Sequence, residues 1–340
     1  KSPDMLLRVL LIHIGCGYSL RETVVRARKA KLADLSDVAL LKRLRKCKDW
    51  LSAMCIALFQ ERGVELSSTK GFQIRAIDAT TVKEPGATGS LWRIHYSVLL
   101  PSLSCDFFKL TETTGVGTGE SFKQFPIQCN DYILADRGYS TANGIAYVVG
   151  KGAHVTVRVN TGSLPLQTEE GGSFELLKKL SSIKDSQAVG SWPAVIYENG
   201  GDKIRGRICA IRKSEEAISL AHKKMKRGAS KKSHKIESET LEYAKYVILF
   251  TTFPESEFSP EEVLEWYRLR WQVELVFKRF KSLAQLGHLP KYDDDSSKAW
   301  LYGKLLVALL AEKLADYASF FSPWGYVLER KTAAKCMARI

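Results

Sequence analysis

The chain has 340 residues, 45% hydrophobic and 26% charged, with 51 Lys and Arg against 37 Asp and Glu for a net charge of +14. That length suffices for about two domains with a sizeable core. Its longest apolar run, Leu305 to Ala311, stops at Glu312 and Lys313, short of the roughly 18 residues a membrane span needs, so composition excludes a membrane protein and a disordered one.

The basic surplus points to a polyanionic partner, either nucleic acid or an anionic membrane surface. The surface reading lacks an amphipathic helix with a broad apolar face beside the basic runs. The seven Cys are scattered and form no C-x-x-C, and the six His do not cluster with them at zinc spacing. A reduced cytoplasmic compartment without structural zinc is the simplest reading. Lys1 opens the chain without Met and without a signal-peptide pattern, which reads as a fragment.

Apolar residues recur at helical spacing through Leu6, Val9, Leu10 and His13, and again through Val38, Leu41 and Leu44. Residues 1 to about 65 therefore read as short helices. Ser19 with Glu22 marks a helix start as a capping box, and Ser36 with Asp37 caps another. These helices carry Arg26, Arg28, Lys29, Lys31, Lys42, Arg43, Arg45, Lys46 and Lys48. They form either a small DNA-binding bundle or a helical layer with a solvated basic face.

From about residue 71 the period changes to two. Phe72 to Asp78 alternates apolar and polar, predicting a half-buried strand that ends at Asp78. Leu91 to Leu100 and Cys105 to Thr113 suit two more strands, with Pro101 and Ser102 in the turn between them. The strand Tyr132 to Asp136 leads into Arg137-Gly138-Tyr139, followed by a helix from about Thr141 to Val149 and a strand from His154 to Val159. The succession is mixed α/β.

Residues 161 to about 255 change character, with glycine pairs at 171–172 and 200–201 and strand-like pieces at Ala194–Tyr197, Lys203–Ile211 and Tyr243–Phe250. The basic run His222 to Lys235 reads as a solvated loop, which beside a DNA path would also meet phosphates. The Gly115–Gly119 cluster is followed by no Lys-Ser/Thr and reads as a connection. Asp293 to Asp295 reads as an exposed acidic turn, Trp266 and Trp271 as packing residues, and His95 and His154 as satisfied strand histidines.

Ser259-Pro260-Glu261-Glu262 starts a helix over 262–283. On it Tyr267, Arg270, Glu274 and Lys281 fall within an arc of roughly 60°. Leu269, Val273, Val276, Phe280 and Leu283 form a separate apolar stripe. The polar row is either a wetted face or a site in which Arg and Lys grip phosphate and Glu holds a hard cation. Asp78 and Asp136 add two carboxylates at strand ends. Metal-assisted phosphodiester cleavage wants such carboxylates converging on two Mg²⁺ ions about 4 Å apart, and strand ends and a rigid helix are suitable mounts.

Tyr267-x2-Arg270-x3-Glu274-x6-Lys281 resembles the YREK signature of bacterial DDE transposases of the insertion-sequence-four family. Ala135-Asp136-Arg137-Gly138-Tyr139 resembles that family's second motif, and the resemblance covers roughly residues 20 to 315. It implies an α/β fold: an RNase H-like catalytic core with a mostly β insertion domain and an N-terminal helical domain. The implied layout is a DNA-binding helical region at 1–65, the first part of the core at 66–160, the β-rich insertion at 161–255, the second part of the core at 256–320, and a tail at 321–340 that reads as truncated.

The same resemblance implies Asp78, Asp136 and Glu274 as catalytic residues and ligands of two Mg²⁺ ions, for which Mn²⁺ can substitute. Tyr267, Arg270 and Lys281 would hold phosphates and the distorted strand at the transposon end. Arg158 matches an arginine that contacts the bound end, and Tyr246 stands where a Trp typically stacks on a flipped base. An exposed strand arginine and a packed strand aromatic are the plainer readings of these last two.

The implied activity is cut-and-paste transposition: Mg-dependent hydrolysis at the transposon ends, a hairpin made by the freed 3′-OH, and joining to target DNA. Its partners would be terminal inverted repeats, target DNA and a second copy in a homodimeric synaptic complex, with no membrane, in a nucleoid-associated cytoplasmic setting. Two rivals remain at this level: a catalytically silent or truncated transposase-derived DNA-binding protein, and an RNase H-like nuclease that cuts without joining.

Overall fold

The computed structural model describes residues 2–61, 73–82, 92–100, 104–115, 117–185, 188–198, 201–231, 236–270, 274, 285, 289 and 293–319. Lys281, Trp271, the stripe positions Val273, Val276, Phe280 and Leu283, the turn at Pro101 and Ser102, and the tail at 321–340 lie outside the described residues.

Four helices open the chain: α1 (Pro3–Cys16), α2 (Leu20–Lys29), α3 (Asp37–Lys46) and α4 (Lys48–Glu61). Their starts follow from serine caps, since Ser2, Ser19 and Ser36 accept the backbone N–H of Met5, Glu22 and Ala39. Gly17 ends α1 in the left-handed region at φ 70°, a conformation that costs glycine little.

Eight strands follow: β1 (Gln73–Val82), β2 (Trp92–Leu100), β3 (Ser104–Glu112), β4 (Asp131–Ala135), β5 (His154–Arg158), β6 (Val189–Tyr197), β7 (Lys203–Arg212) and β8 (Tyr246–Thr251). They form one sheet in the order β3-β2-β1-β4-β5-β8-β7-β6. The central β1, β4 and β5 are parallel, and every other pairing is antiparallel. The strand pieces of residues 161–255 thus extend this sheet through β8.

Further helices among the described residues are α5 (Ala142–Gly150), α6 (Leu176–Ser181), α7 (Glu215–Lys231), α8 (Ser238–Tyr243), α9 (Pro260–Leu269) and α10 (Asp294–Ser319). The expected loop at 222–235 is corrected by α7 as far as Lys231, and 232–235 lie outside the described residues. Lys, Arg, Met and Ala are good helix formers, and the helix is pinned by buried Ile218 and by His222 Nε2, 2.9 Å from the Leu241 carbonyl. β1 also runs four residues beyond its expected end at Asp78, because β2 goes on pairing with it as far as Val82 and Trp92.

Two apolar layers flank the sheet. On one face Leu10, Ile14, Leu40 and Leu51 of the N-terminal helices join Trp300, Leu305 and Leu309 of α10 and Val263 of α9 over Ala76, Ile94 and Leu134. Ile145 and Leu180 cover the other face over Ile77, Ile133, Val155 and Phe250. Asp293 and Asp295 pair with Arg45 and Lys48 at 3.1 and 2.6 Å, so the acidic turn ties α10 to the N-terminal helices. Among the described residues no helix is long and apolar enough to cross a membrane.

His95 is a strand histidine, as expected, fully buried with Nε2 2.9 Å from Thr111 Oγ1 and Nδ1 unpartnered. Burial, with Arg93 and Lys109 nearby, pushes its pKa down to about 4. Its proton is therefore taken up on unfolding, and stability falls as pH drops from about 6.5 toward 4. Urea denaturation should find the wild type losing about 2 kcal/mol more than His95→Gln between pH 7 and pH 5.

Candidate active site

The site is laid out by strand register. β1 and β4 pair with Ala76 opposite Leu134, so two residues further Asp78 comes level with Asp136. β4 and β5 pair with Ala135 opposite Val157, which brings Arg158 level with Asp136. On the other side Asp78 pairs with Tyr96 of β2. Level residues on neighbouring strands share a face. Tyr96, Asp78, Asp136 and Arg158 therefore make one row, on the face that α9 and α10 cover.

Each aspartate is fixed by its own loop or neighbour. Asp136 caps a single 3₁₀ turn, Arg137–Tyr139, and accepts the Gly138 N–H at 2.8 Å. Asp78 accepts the Ala79 N–H at 2.8 Å and the Tyr96 O–H at 3.2 Å. Burial raises the Asp78 pKa to about 6; the charge of Asp136 adds to the rise, while the Ala79 N–H, Arg270 and Tyr96 oppose it. The two carboxylates face each other as a repelling pair.

α9 starts at the predicted Ser259 cap, a complete capping box with Glu262. It carries Tyr267 and ends at Leu269 with Arg270 as its C-cap, so the helix expected over 262–283 is seen only to Leu269. Glu274, the third acid of the expected set, is also helical. Arg270 Nη2 lies 3.2 Å from Glu274 Oε1, with the arginine side chain 12% exposed and the glutamate 45%. The guanidinium is also in the field of Asp78 and Asp136, and its Nε and Nη1 are buried without a hydrogen-bond partner. Tyr96 feels both Asp78 and Glu274. Arg270 thus binds Glu274 while standing in the field of the row's two aspartates.

Beyond Asp136 the charge changes sign. Arg137 lies in the field of Arg158 and Tyr267. Lys213, just past β7, donates to the Ala244 carbonyl at 2.7 Å. Burial, with Arg158 and Arg137 nearby, lowers its pKa to about 8. Lys213 and Tyr96 were not singled out in the sequence, since only register brings them to the site; Arg137 and Tyr139 were visible in the motif.

Tyr246 is not brought into the row. It begins β8 on the opposite face, 8% exposed and packed with Ile248 and Phe250. Arg158 opposes Leu249 instead, which faces the other layer.

Among the described residues no three carboxylate, imidazole or thiol groups come close enough to enclose an ion. The donors nevertheless fit a hard divalent cation in kind, because paired carboxylate oxygens at Asp78 and Asp136 repel each other and a cation offsets that repulsion.

A family model described as the transposase DDE domain matches residues 108–310. This chain belongs to the DDE transposases. It is 33% identical over 342 residues to InsL of Escherichia coli K12, described as a transposase for insertion sequence element IS186A, covering 97% of this chain and 90% of that protein. It is 32% identical over 338 residues to the Escherichia coli transposase for insertion sequence element IS421, covering 94% and 88%. A solved piggyBac transposase synaptic complex with hairpin DNA is a loose likeness, with TM-score 0.39 and 11% identity over 72% of this chain and 48% of that one. The protein is a DNA transposase, and DDE transposases generally depend on a divalent metal ion.

In this transposase, Tyr96→Phe removes one donor from Asp78 while keeping the ring. The expected result is a loss of about 1–2 kcal/mol in urea denaturation at neutral pH, the cost of a buried acceptor left short.

Proposed function

We propose that this DDE transposase moves its element by cut-and-paste, with Asp78, Asp136 and Glu274 as its metal-holding acids. The observation that carries this is the Asp78–Asp136 pair, level on adjoining parallel strands, with Arg270 in the field of both and binding Glu274. Strands β1 to β5 stand in the order 3-2-1-4-5 within the sheet, which supports an RNase H-like core of the insertion-sequence-four type. Two Mg²⁺ ions, or Mn²⁺ in their place, would activate the attacking oxygen and stabilise the leaving one.

The chain's own residues orient the DNA. Nε and Nη1 of Arg270, which have no hydrogen-bond partner, would each donate to a phosphate oxygen of the DNA. Tyr267 holds Arg270 through a ring contact, with Cζ 5.7 Å from the ring centroid. Lys281, which lies outside the described residues, would add a point charge. Arg158, level with Asp136, would take a neighbouring phosphate of the transposon end.

Water attack would free a 3′-OH, which attacks the opposite strand to form a hairpin; reopening and attack on target DNA complete the cycle. Two ends must be joined at once, so the active form would be a homodimer on terminal inverted repeats. A stacking role for Tyr246 requires the start of β8 to open, since its ring is buried.

Labelled DNA carrying the element's own ends, incubated with Mg²⁺, tests the reading. Asp78→Asn, Asp136→Asn and Glu274→Gln should each lower cleavage by on the order of a thousandfold or more while end binding persists. Cleavage at the wild-type rate in any of the three removes that acid from the centre. In the same binding assay, Arg158→Ala should weaken end binding and reduce the salt slope by about one.

A further inference from the structure

We propose that Glu120, in the segment between β3 and β4, is a fourth carboxylate of the metal centre and shares a divalent cation with Asp136. The inference rests on the reading of Asp78, Asp136 and Glu274 given above.

The geometry converges at Gly138. Glu120 Oε2 lies 2.6 Å, and Asp136 Oδ1 3.1 Å, from the point where a Cβ on Gly138 would stand. Both carboxylates therefore border the space that a side chain at 138 would fill, and glycine leaves the room for both. Asp136 accepts the Gly138 N–H, whereas Glu120 has no hydrogen-bond or ion-pair partner among the described residues.

Glu120 is not on a loose segment. Arg93 of β2 donates to the Thr118 carbonyl at 2.7 Å, Thr118 Oγ1 donates to the Gly115 carbonyl at 3.0 Å, and the Gln124 side-chain amide donates to the Gly117 carbonyl. Ser121, the next residue, caps the turn Phe122–Gln124. The segment thus holds the Glu120 carboxylate near Asp136, with Arg93 offsetting part of the repulsion, and a cation between the two acids would reverse the rest.

A second observation points the same way. The Tyr139 hydroxyl is buried with no hydrogen-bond partner, in a side chain 2% exposed, and lies in the field of Asp78, Glu120 and Asp136. A buried hydroxyl among three acids is the environment of an ion's outer shell, where it can meet an ion-held water.

Mn²⁺ titrated into the purified full chain without DNA, with free ion counted by electron paramagnetic resonance, tests the assignment. Glu120→Gln should weaken Mn²⁺ binding on the order of tenfold. Gly138→Ala keeps every acid but pushes the Glu120 carboxylate aside, and should weaken binding in the same direction; melting curves check that both variants fold. Wild-type Mn²⁺ binding in both folded variants overturns the proposal. Asp78→Asn, run beside them, separates the two levels. Mn²⁺ binding and end cleavage lost in Asp78→Asn but kept in Glu120→Gln would sink the role of Glu120 alone. Both kept in Asp78→Asn would sink the three-acid reading beneath it.

Discussion

Hydrogen-bond register among β1, β4 and β5 holds Asp78, Asp136 and Arg158 level on one face, and a slip of one residue would turn any of them into the opposite layer. What holds the register is apolar. Ile77, Ala135 and Val157, each one residue before a row position, are completely buried in the other layer. Moving any of them to the carboxylate face would cost its burial, about 1.5–3 kcal/mol for a Val or Ile. The polar row is therefore positioned by side chains that never touch it.

Concentrating acids at one sheet end has an electrostatic cost, and the structure meets it unevenly. Asp78 is the most burdened, with its pKa raised to about 6 even with two donors and Arg270 nearby. Arg270 offsets part of the charge while spending only one of its N–H groups on Glu274. Under the reading proposed above, a guanidinium with buried, unspent donors beside repelling carboxylates would suit a cation at the acids and a phosphate at the arginine.

The sequence made local features legible and left lateral ones hidden. Serine caps at Ser19, Ser36 and Ser259 and the alternation into Asp78 and Asp136 depend on neighbours along the chain, and the elements they predict are present. The end of β1 was misjudged because its continuation is set by β2 across the sheet. What stops near Ala76 and Leu134 is the pairing with β4, and this opens the sheet beside Asp78. The run from His222 was read by its charge, although Ile218 and His222 supply anchors that make it a helix. Tyr246 had the right residue type, but strand parity put it in the opposite layer. Tyr96, Lys213 and Glu120 carry no motif at all; each reaches the site through register or a pinned segment.

The charges around the row also have a direction. Acids gather at Asp78 within β1, at Asp136 just after β4 and in the segment before β4, whereas Arg137, Arg158 and Lys213 gather beyond β4 toward β7. α7 begins two residues after Lys213 and carries Lys223, Lys224, Lys226 and Arg227 exposed along its later turns. Under the reading proposed above, a phosphodiester chain with its reacting phosphate between Asp78 and Asp136 would be repelled along the acid side and attracted along the other. Its flanking phosphates would then run toward β5, Lys213 and α7. The same reading accounts for cations standing off the row's centre, because a lysine between Asp78 and Asp136 would neutralise the pair and occupy the space of the ion proposed for it.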